Sequence, residues 1–381
     1  MSAEGEYIIN YLKNRRRLFT INALFFLIPI ALIIAGCRNE SANSNILKKE
    51  YVLNLLPGND NPRNSEGDFI KLRDGRILFA YSHYTGTSAH DDAHAYIAGR
   101  YSSDGGKTWT KEDVQIVSQE GFMNVMSVSF LRFKNGEIGL FYLRKNSDVD
   151  CTPLLRISTD EAKTWNDPIE CITDRDGYFV LNNNRIIQLK NGRLLLAVAL
   201  HKSPGDTIFA SIGRIWSYYS DDNGRNWKSS TEVPDPEAIV TQEPGLTELK
   251  NGDILMYLRT MSGVQYLSLS KDRGETWSKV EKSNISSPCS PASITRIPST
   301  GDLLLVWNDN GKDQKRTPLN IAYSEDEGIT WKNKQIIEDN PEGSFCYPAI
   351  LYDDKEILLS YFDWTTRGSS IIRFGTKAVY K

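Results

Sequence analysis

The chain has 381 residues, with 45 Lys and Arg against 48 Asp and Glu and a formal charge of −3. That balance lacks a basic footprint and excludes nucleic acid as the expected partner. The cysteine spacings match no zinc pattern, so neither a metal nor another cofactor is expected.

The chain opens on a targeting segment. Lys13, Arg15, Arg16 and Arg17 precede an uncharged apolar run over 18–36 that ends Ile34-Ala35-Gly36-Cys37. A basic stretch, a short apolar stretch and small residues before a cut describe a secretory signal. A run of roughly 18 apolar residues also suffices for a membrane span, which is the competing reading. The ending Ala-Gly-Cys resembles the bacterial lipobox, which implies a signal peptide over 1–36 and lipidation of Cys37. On that reading 37–48 is a polar, lipid-tethered linker, the folded domain runs over 49–381, and the protein is an exported lipoprotein of the cell envelope. The remaining cysteines, 151, 171, 289 and 346, are expected as buried free thiols, since pairing cannot be deduced from sequence.

Beyond the linker the chain repeats itself. Residues 102–109 read Ser-Ser-Asp-Gly-Gly-Lys-Thr-Trp, and the pattern Ser-x-Asp-x-Gly-x-Thr-Trp returns at 158–165, 220–227, 270–277 and 324–331. Only Ala162 in place of Gly and Asn226 in place of Thr break it. The Asp residues at 104, 160, 222, 272 and 326 lie 56, 62, 50 and 54 residues apart. Ser and Asp side chains bond turn amides and Gly supplies a left-handed position, so each copy is a hairpin tip. The closing Trp is expected to begin the next strand and to bury its ring. Because the same residues recur in every repeat, they answer a folding demand rather than a catalytic one.

A second signal alternates with the first. Gly-centred turns before aliphatic strands stand at Gly75, Gly136, Gly192, Gly252 and Gly301, with a sixth turn at Asp353-Asp354. Two hairpins per repeat make four strands, the size of a propeller blade. Six turns predict an all-β, six-bladed β-propeller, its last blade closed by an N-terminal strand near Tyr51 to Leu55.

These Asp boxes on a six-bladed ring resemble the sialidase (neuraminidase) family over essentially everything from Leu53 to the C-terminus. The resemblance implies three arginines that clamp a sugar carboxylate, a tyrosine nucleophile activated by a glutamate, and an aspartate acid/base. Glu243 heads a strand leading to the turn at Asn251-Gly252, and Arg259 ends the returning strand, as in the family. Antiparallel pairing brings the two to one rim of a blade. Arg316, ahead of the strand feeding the fifth box, takes the place of another clamp arginine, and Tyr347, ahead of the sixth turn, that of the nucleophile. Arg63 occupies roughly the place of the first arginine, without the family's Arg-Ile-Pro and about two residues farther from its turn, with Glu66 nearer that spot. The acid/base is sought in residues 90–97, where Asp92 is favoured over Asp91. Tyr81 to Tyr84 stand where the family carries an additional arginine.

The resemblance thus implies a retaining exo-sialidase acting on sialylated glycans or another acidic sugar. Two other readings stay open: a glycan-binding propeller without catalysis, and a glycosidase or lyase for a different acidic sugar.

Overall fold

The computed structural model describes residues 45–381. The signal peptide, Cys37 and the linker as far as residue 44 lie outside them. The compact unit starts at Asn45, before the expected boundary at 49. Leu47 is buried and its amide donates to the Ile336 carbonyl at 2.9 Å, so the end of the expected linker already belongs to the packed chain.

Each repeat folds into antiparallel strands, and the turn glycines explain where the chain reverses. Gly192, for example, sits at φ 100°, a backbone conformation that a side chain would strain. The first blade pairs Asn64–Lys71, Ile77–Tyr84, Ala95–Ser102 and Val114–Val117 in order. The fourth and fifth, opening on Thr241–Glu248 and Ser293–Arg296, repeat that order. The second and third are joined through a bridge between Tyr178 and Cys151, and the innermost strand of the third is broken around residues 181–186. In the sixth, Phe345–Asp353, Glu356–Asp363 and Gly368–Gly375 are completed by the N-terminal strand Glu50–Leu55. That pairing, with Tyr51 opposite Ile372 and Leu55 opposite Ser369, is the ring closure expected from the sequence. Innermost strands of the first and second, fourth and fifth, and fifth and sixth blades are neighbours, and Asn64–Lys71 lies beside Phe345–Asp353 where the ring closes. The cores lie between blades: Leu78, Ala80 and Ile97 of the first pack on Val128, Phe130 and Leu140 of the second.

The five Asp boxes adopt one geometry. Ser102 Oγ accepts from the Gly106 amide at 2.9 Å, while Asp104 accepts the Lys107 and Thr108 amides at 3.0 and 2.9 Å and the Thr108 hydroxyl at 2.6 Å. These bonds, the Thr108 contacts foremost, hold the Asp104 carboxyl down at about 2. The tryptophans depart from expectation. Four are only half-buried, and of these Trp109 and Trp227 turn their indole N–H back onto carbonyls of their own box, those of Gly106 and Gly224, at 3.2 and 2.9 Å. Trp277 alone is buried, donating to Ser217 Oγ of the preceding blade at 3.0 Å. In the first blade the outer strand starts at Val114, well past Trp109.

Asp272→Ala removes the acceptor for the Glu275 and Thr276 amides. It should cost about 1 kcal/mol or somewhat more. A lowered Tm with activity per folded molecule unchanged is the expected result, and normal melting with lost turnover would refute a purely structural box.

Candidate active site

The innermost strands carry a shared distortion at the rim where they begin. Their ladders slip between Ser65 and Asp68, Met126 and Ser129, Gln242 and Gly245, and Cys346 and Ala349. At each slip one non-glycine residue is left-handed: Glu66 at φ 54°, Ser127 at 61°, Glu243 at 46° and Tyr347 at 55°. Asn184, in the broken strand of the third blade, is a fifth at 55°. A bulge re-aims one side chain, and a left-handed non-glycine residue costs on the order of 1–2 kcal/mol. Strain of this kind concentrates where a side chain must serve a site. Pro244 and Pro348 follow Glu243 and Tyr347, and a residue without an N–H fits a bulge better than a regular ladder.

The bulges bring Glu243 and Tyr347 together from opposite parts of the sequence. Tyr347 Oη donates to Glu243 Oε1 at 3.2 Å, and Arg259 Nη1 lies 2.7 Å from Glu243 Oε2. Gln242 pairs with Arg259 across the hairpin, so the expected convergence of strand start and strand end at one rim is what the register produces. Burial pushes the Glu243 carboxyl up, but the charge and hydrogen bond of Arg259, helped by Arg316 and Arg185, hold it below the ordinary range. Burial and the Glu243 charge raise the Tyr347 phenol well above its usual value. The pair is therefore an ionised carboxylate accepting from a neutral hydroxyl.

Arg316 joins this cluster. Its Nε and Nη2 donate to the Cys289 carbonyl at 3.2 and 3.1 Å, and its Nη1 approaches Cys346 Sγ at 3.5 Å. Arg259 Nε points at Cys289 Sγ at 3.1 Å. All four described cysteines are free thiols, and Cys289 is half-buried at the site rather than in a core. Arg316 has no carboxylate partner among the described residues, so its charge is available to an anion.

Arg63 is placed differently. It is fully buried, with Nε donating to Ser65 Oγ at 2.9 Å, Nη1 to the Ala89 carbonyl at 3.4 Å and to the Asp91 carboxylate, and Nη2 to Glu66 Oε2 at 3.4 Å. Trp364, Tyr84 and Phe362 surround the guanidinium with ring centres at 4.4, 4.5 and 5.1 Å. Protein groups thus already occupy the arginine expected to complete the clamp. Burial raises the Asp91 carboxyl, but the Arg63 charge and hydrogen bond outweigh it and hold the group ionised. Asp92 is exposed and makes no side-chain hydrogen bond among the described residues.

Sequence reasoning missed several groups. Asp68 accepts the Phe69 and Phe130 amides at 2.7 Å each and Asn184 Nδ2 at 2.8 Å, tying three blades together at the axis. Its burial outweighs these bonds and lifts the carboxyl to about 7. Asn183 Nδ2 donates to the Gly67 and Tyr347 carbonyls at 2.8 and 3.1 Å, bracing the tyrosine from the far side of the ring. Arg185, buried and without a carboxylate partner among the described residues, donates to Tyr257 Oη at 2.8 Å. A Cβ on Gly245 would fall 2.5 Å from Arg185 Nη1, so the glycine makes room for it. The overlooked signal was a motif shared by three of the blades: Ser65-Glu66-Gly67, Gln242-Glu243-Pro244 and Cys346-Tyr347-Pro348 each set a polar side chain before Gly or Pro at the head of an inner strand.

Fold and site together define a class: an Asp-box β-propeller with a Tyr–Glu–Arg cluster at the rim of its inner strands. Residues 119–358 match the family described as BNR repeat-like domain, and residues 100–111 match the BNR/Asp-box repeat. This chain belongs to that family and is a sialidase-family BNR-repeat protein. It is 31% identical over 228 residues to a sialidase of Vibrio cholerae, an alignment covering 52% of this chain and 28% of that one. A Bacteroides fragilis sialidase is 24% identical, over 76% of this chain and 58% of its own length. The chain therefore spans between about a quarter and three fifths of these relatives. The NanB sialidase of Streptococcus pneumoniae superposes with a TM-score of 0.67 at 16% identity, covering 87% of this chain and 71% of that one, a likeness of fold.

Proposed function

We propose that this protein is a retaining exo-sialidase that releases a terminal sialic acid from glycoconjugates. The observation that carries the reading is the 3.2 Å hydrogen bond from Tyr347 to an ionised Glu243 beside Arg259 and Arg316. A sialic acid bears its carboxylate on the anomeric carbon, where an anionic nucleophile meets like charge. A neutral tyrosine does not, and a carboxylate at hydrogen-bond distance takes its proton as attack proceeds. Guanidinium groups match the substrate carboxylate and stay charged at any working pH. Arg259 and Arg316 hold the sugar while Tyr347 attacks and Glu243 serves as base. The expected acid/base, Asp92, is the loop carboxyl left free by the pairing of Asp91 with Arg63. Incubation with a fluorogenic sialoside tests the reading, with Tyr347→Phe as control. Absence of turnover by the wild type would leave a glycan-binding propeller.

Export as a lipoprotein belongs to the same proposal and rests on Ile34-Ala35-Gly36-Cys37. Cys37→Ser should abolish processing and change partitioning into a detergent phase. If mutant and wild type partition alike and both keep residues 1–36, an uncleaved anchor replaces the lipid.

A further inference from the structure

The loop between Ile77–Tyr84 and Ala95–Ser102 carries Asp92, and the second blade grips it on both sides of that residue. Asn124 opens the inner strand of the second blade and pairs across the ladder with Lys145, so the two side chains leave the sheet together. Asn124 Nδ2 donates to the Asp91 and Ala93 carbonyls at 2.8 Å each, and Lys145 Nζ donates to the Asp91 carbonyl at 2.8 Å. From the first blade Arg63 adds the Ala89 carbonyl at 3.4 Å and the Asp91 carboxylate. The Ala93 amide closes back on the His90 carbonyl at 3.0 Å. Asn124 is fully buried, and its Oδ1 has no partner among the described residues. Turning the amide over would set that oxygen against two carbonyl oxygens, so the partners fix which end faces the loop. The residues on either side of Asp92 are thus pinned while its own carboxyl stays exposed.

We propose that Asn124 and Lys145 are positioning residues for the acid/base, acting through the loop rather than on the substrate. The inference rests on the sialidase reading, with Tyr347 as nucleophile, Glu243 as its base and Asp92 as acid/base. In the first step Tyr347 Oη bonds to the anomeric carbon and passes its proton to Glu243. The bond from that carbon to the leaving oxygen breaks, and the oxygen takes the Asp92 proton. In the second, the Asp92 carboxylate takes a proton from water as the water oxygen bonds to the anomeric carbon, and Tyr347 departs and recovers its proton from Glu243. Both transfers need the Asp92 carboxyl within hydrogen-bond reach of the oxygen it serves. A loop tip alone supplies no such constraint, and a misplacement of about 1 Å is enough to cost about 10²-fold. Here the constraint comes from the neighbouring blade. One amide nitrogen holds the two carbonyls that bracket Asp92, and the ammonium of Lys145, buried with the Tyr178 ring centre 5.1 Å away, holds the first of them again.

A double-mutant cycle read on two leaving groups separates positioning from folding. Asn124→Ala should lose about 10²-fold in kcat/KM on sialyllactose, whose sugar hydroxyl does not depart without a proton. On an aryl sialoside with an acidic phenol, which departs unaided, the loss should stay within about tenfold. Asp92→Asn should show the same contrast. In the Asp92→Asn background, Asn124→Ala should change neither substrate by more than about twofold, because no proton donor remains to be positioned. Lys145→Met keeps the stem and loses the donor, so it should follow Asn124→Ala with a smaller effect, and it carries the cycle if Asn124→Ala does not fold. Losses that are equal on the two substrates, or that persist beside Asp92→Asn, overturn the proposal and leave a purely structural brace. If Asp92→Asn lacks the contrast, Asp92 is not the acid/base and the proposal falls with it, while the Tyr347 mechanism stands. A wild type inert toward both substrates overturns the mechanism and the positioning together.

Discussion

Tyr347→Phe should retain sialic acid binding within about tenfold while turnover falls by more than about 10³-fold, the scale of losing a catalytic nucleophile. The ring keeps its packing near Phe362, at a centroid distance of 6.5 Å, and only the oxygen facing Glu243 is removed. Glu243→Gln should resemble it, because the amide preserves shape but cannot take the phenol proton. Hydrolysis unchanged by Tyr347→Phe would end the tyrosine mechanism and leave a glycosidase or lyase of another kind. Isothermal titration with sialic acid beside a turnover assay reads both halves.

Arg259→Ala should be the more damaging of the two arginine substitutions. It deletes a clamp residue and also strips Glu243 of the cation 2.7 Å away that holds its carboxyl ionised. A buried carboxylate that loses its partner costs about 3–5 kcal/mol or takes up a proton. Either way the base for Tyr347 is lost, so kcat should fall along with affinity and the acid limb of the pH profile should move up. Arg316→Ala removes a cation that pairs with no carboxylate among the described residues, so its effect should fall on KM. The lost charged contact is worth about 1.5–3 kcal/mol, roughly 10- to 10²-fold. If the two variants proved alike in kcat, the division of labour between Arg259 and Arg316 would be wrong. A binding propeller would show lost affinity in both and turnover in neither, the wild type included.

The architecture was legible because its causes are local and repeated. Asp104 and its counterparts bond amides three and four residues on, and the Gly-centred turns need only a left-handed residue, so a one-dimensional pattern suffices to count blades. Closure by Glu50–Leu55 followed from the same count, since a sixth turn without a box leaves a blade short of one strand. The partnership of Glu243 with Arg259 was legible for a related reason: a hairpin carries its own register.

The rest depended on ring closure, which brings together groups far apart in the sequence. Nothing near Arg63 announces that Asp91, Trp364 and Phe362 will enclose it, because Trp364 and Phe362 arrive from the other end of the chain when the last blade meets the first. Trp109 and Trp227 defied the expected burial because each indole N–H finds a carbonyl within its own turn. By itself the sequence determined the blades, the boxes and the order of Glu243, Arg259, Arg316 and Tyr347. Only the tertiary structure decided which charges meet, placing Arg63 between Asp91 and Glu66 and setting Glu66 in the ring with Glu243 and Tyr347. Charge pairing depends on distances through space, and in a closed ring those distances are set by which blades become neighbours.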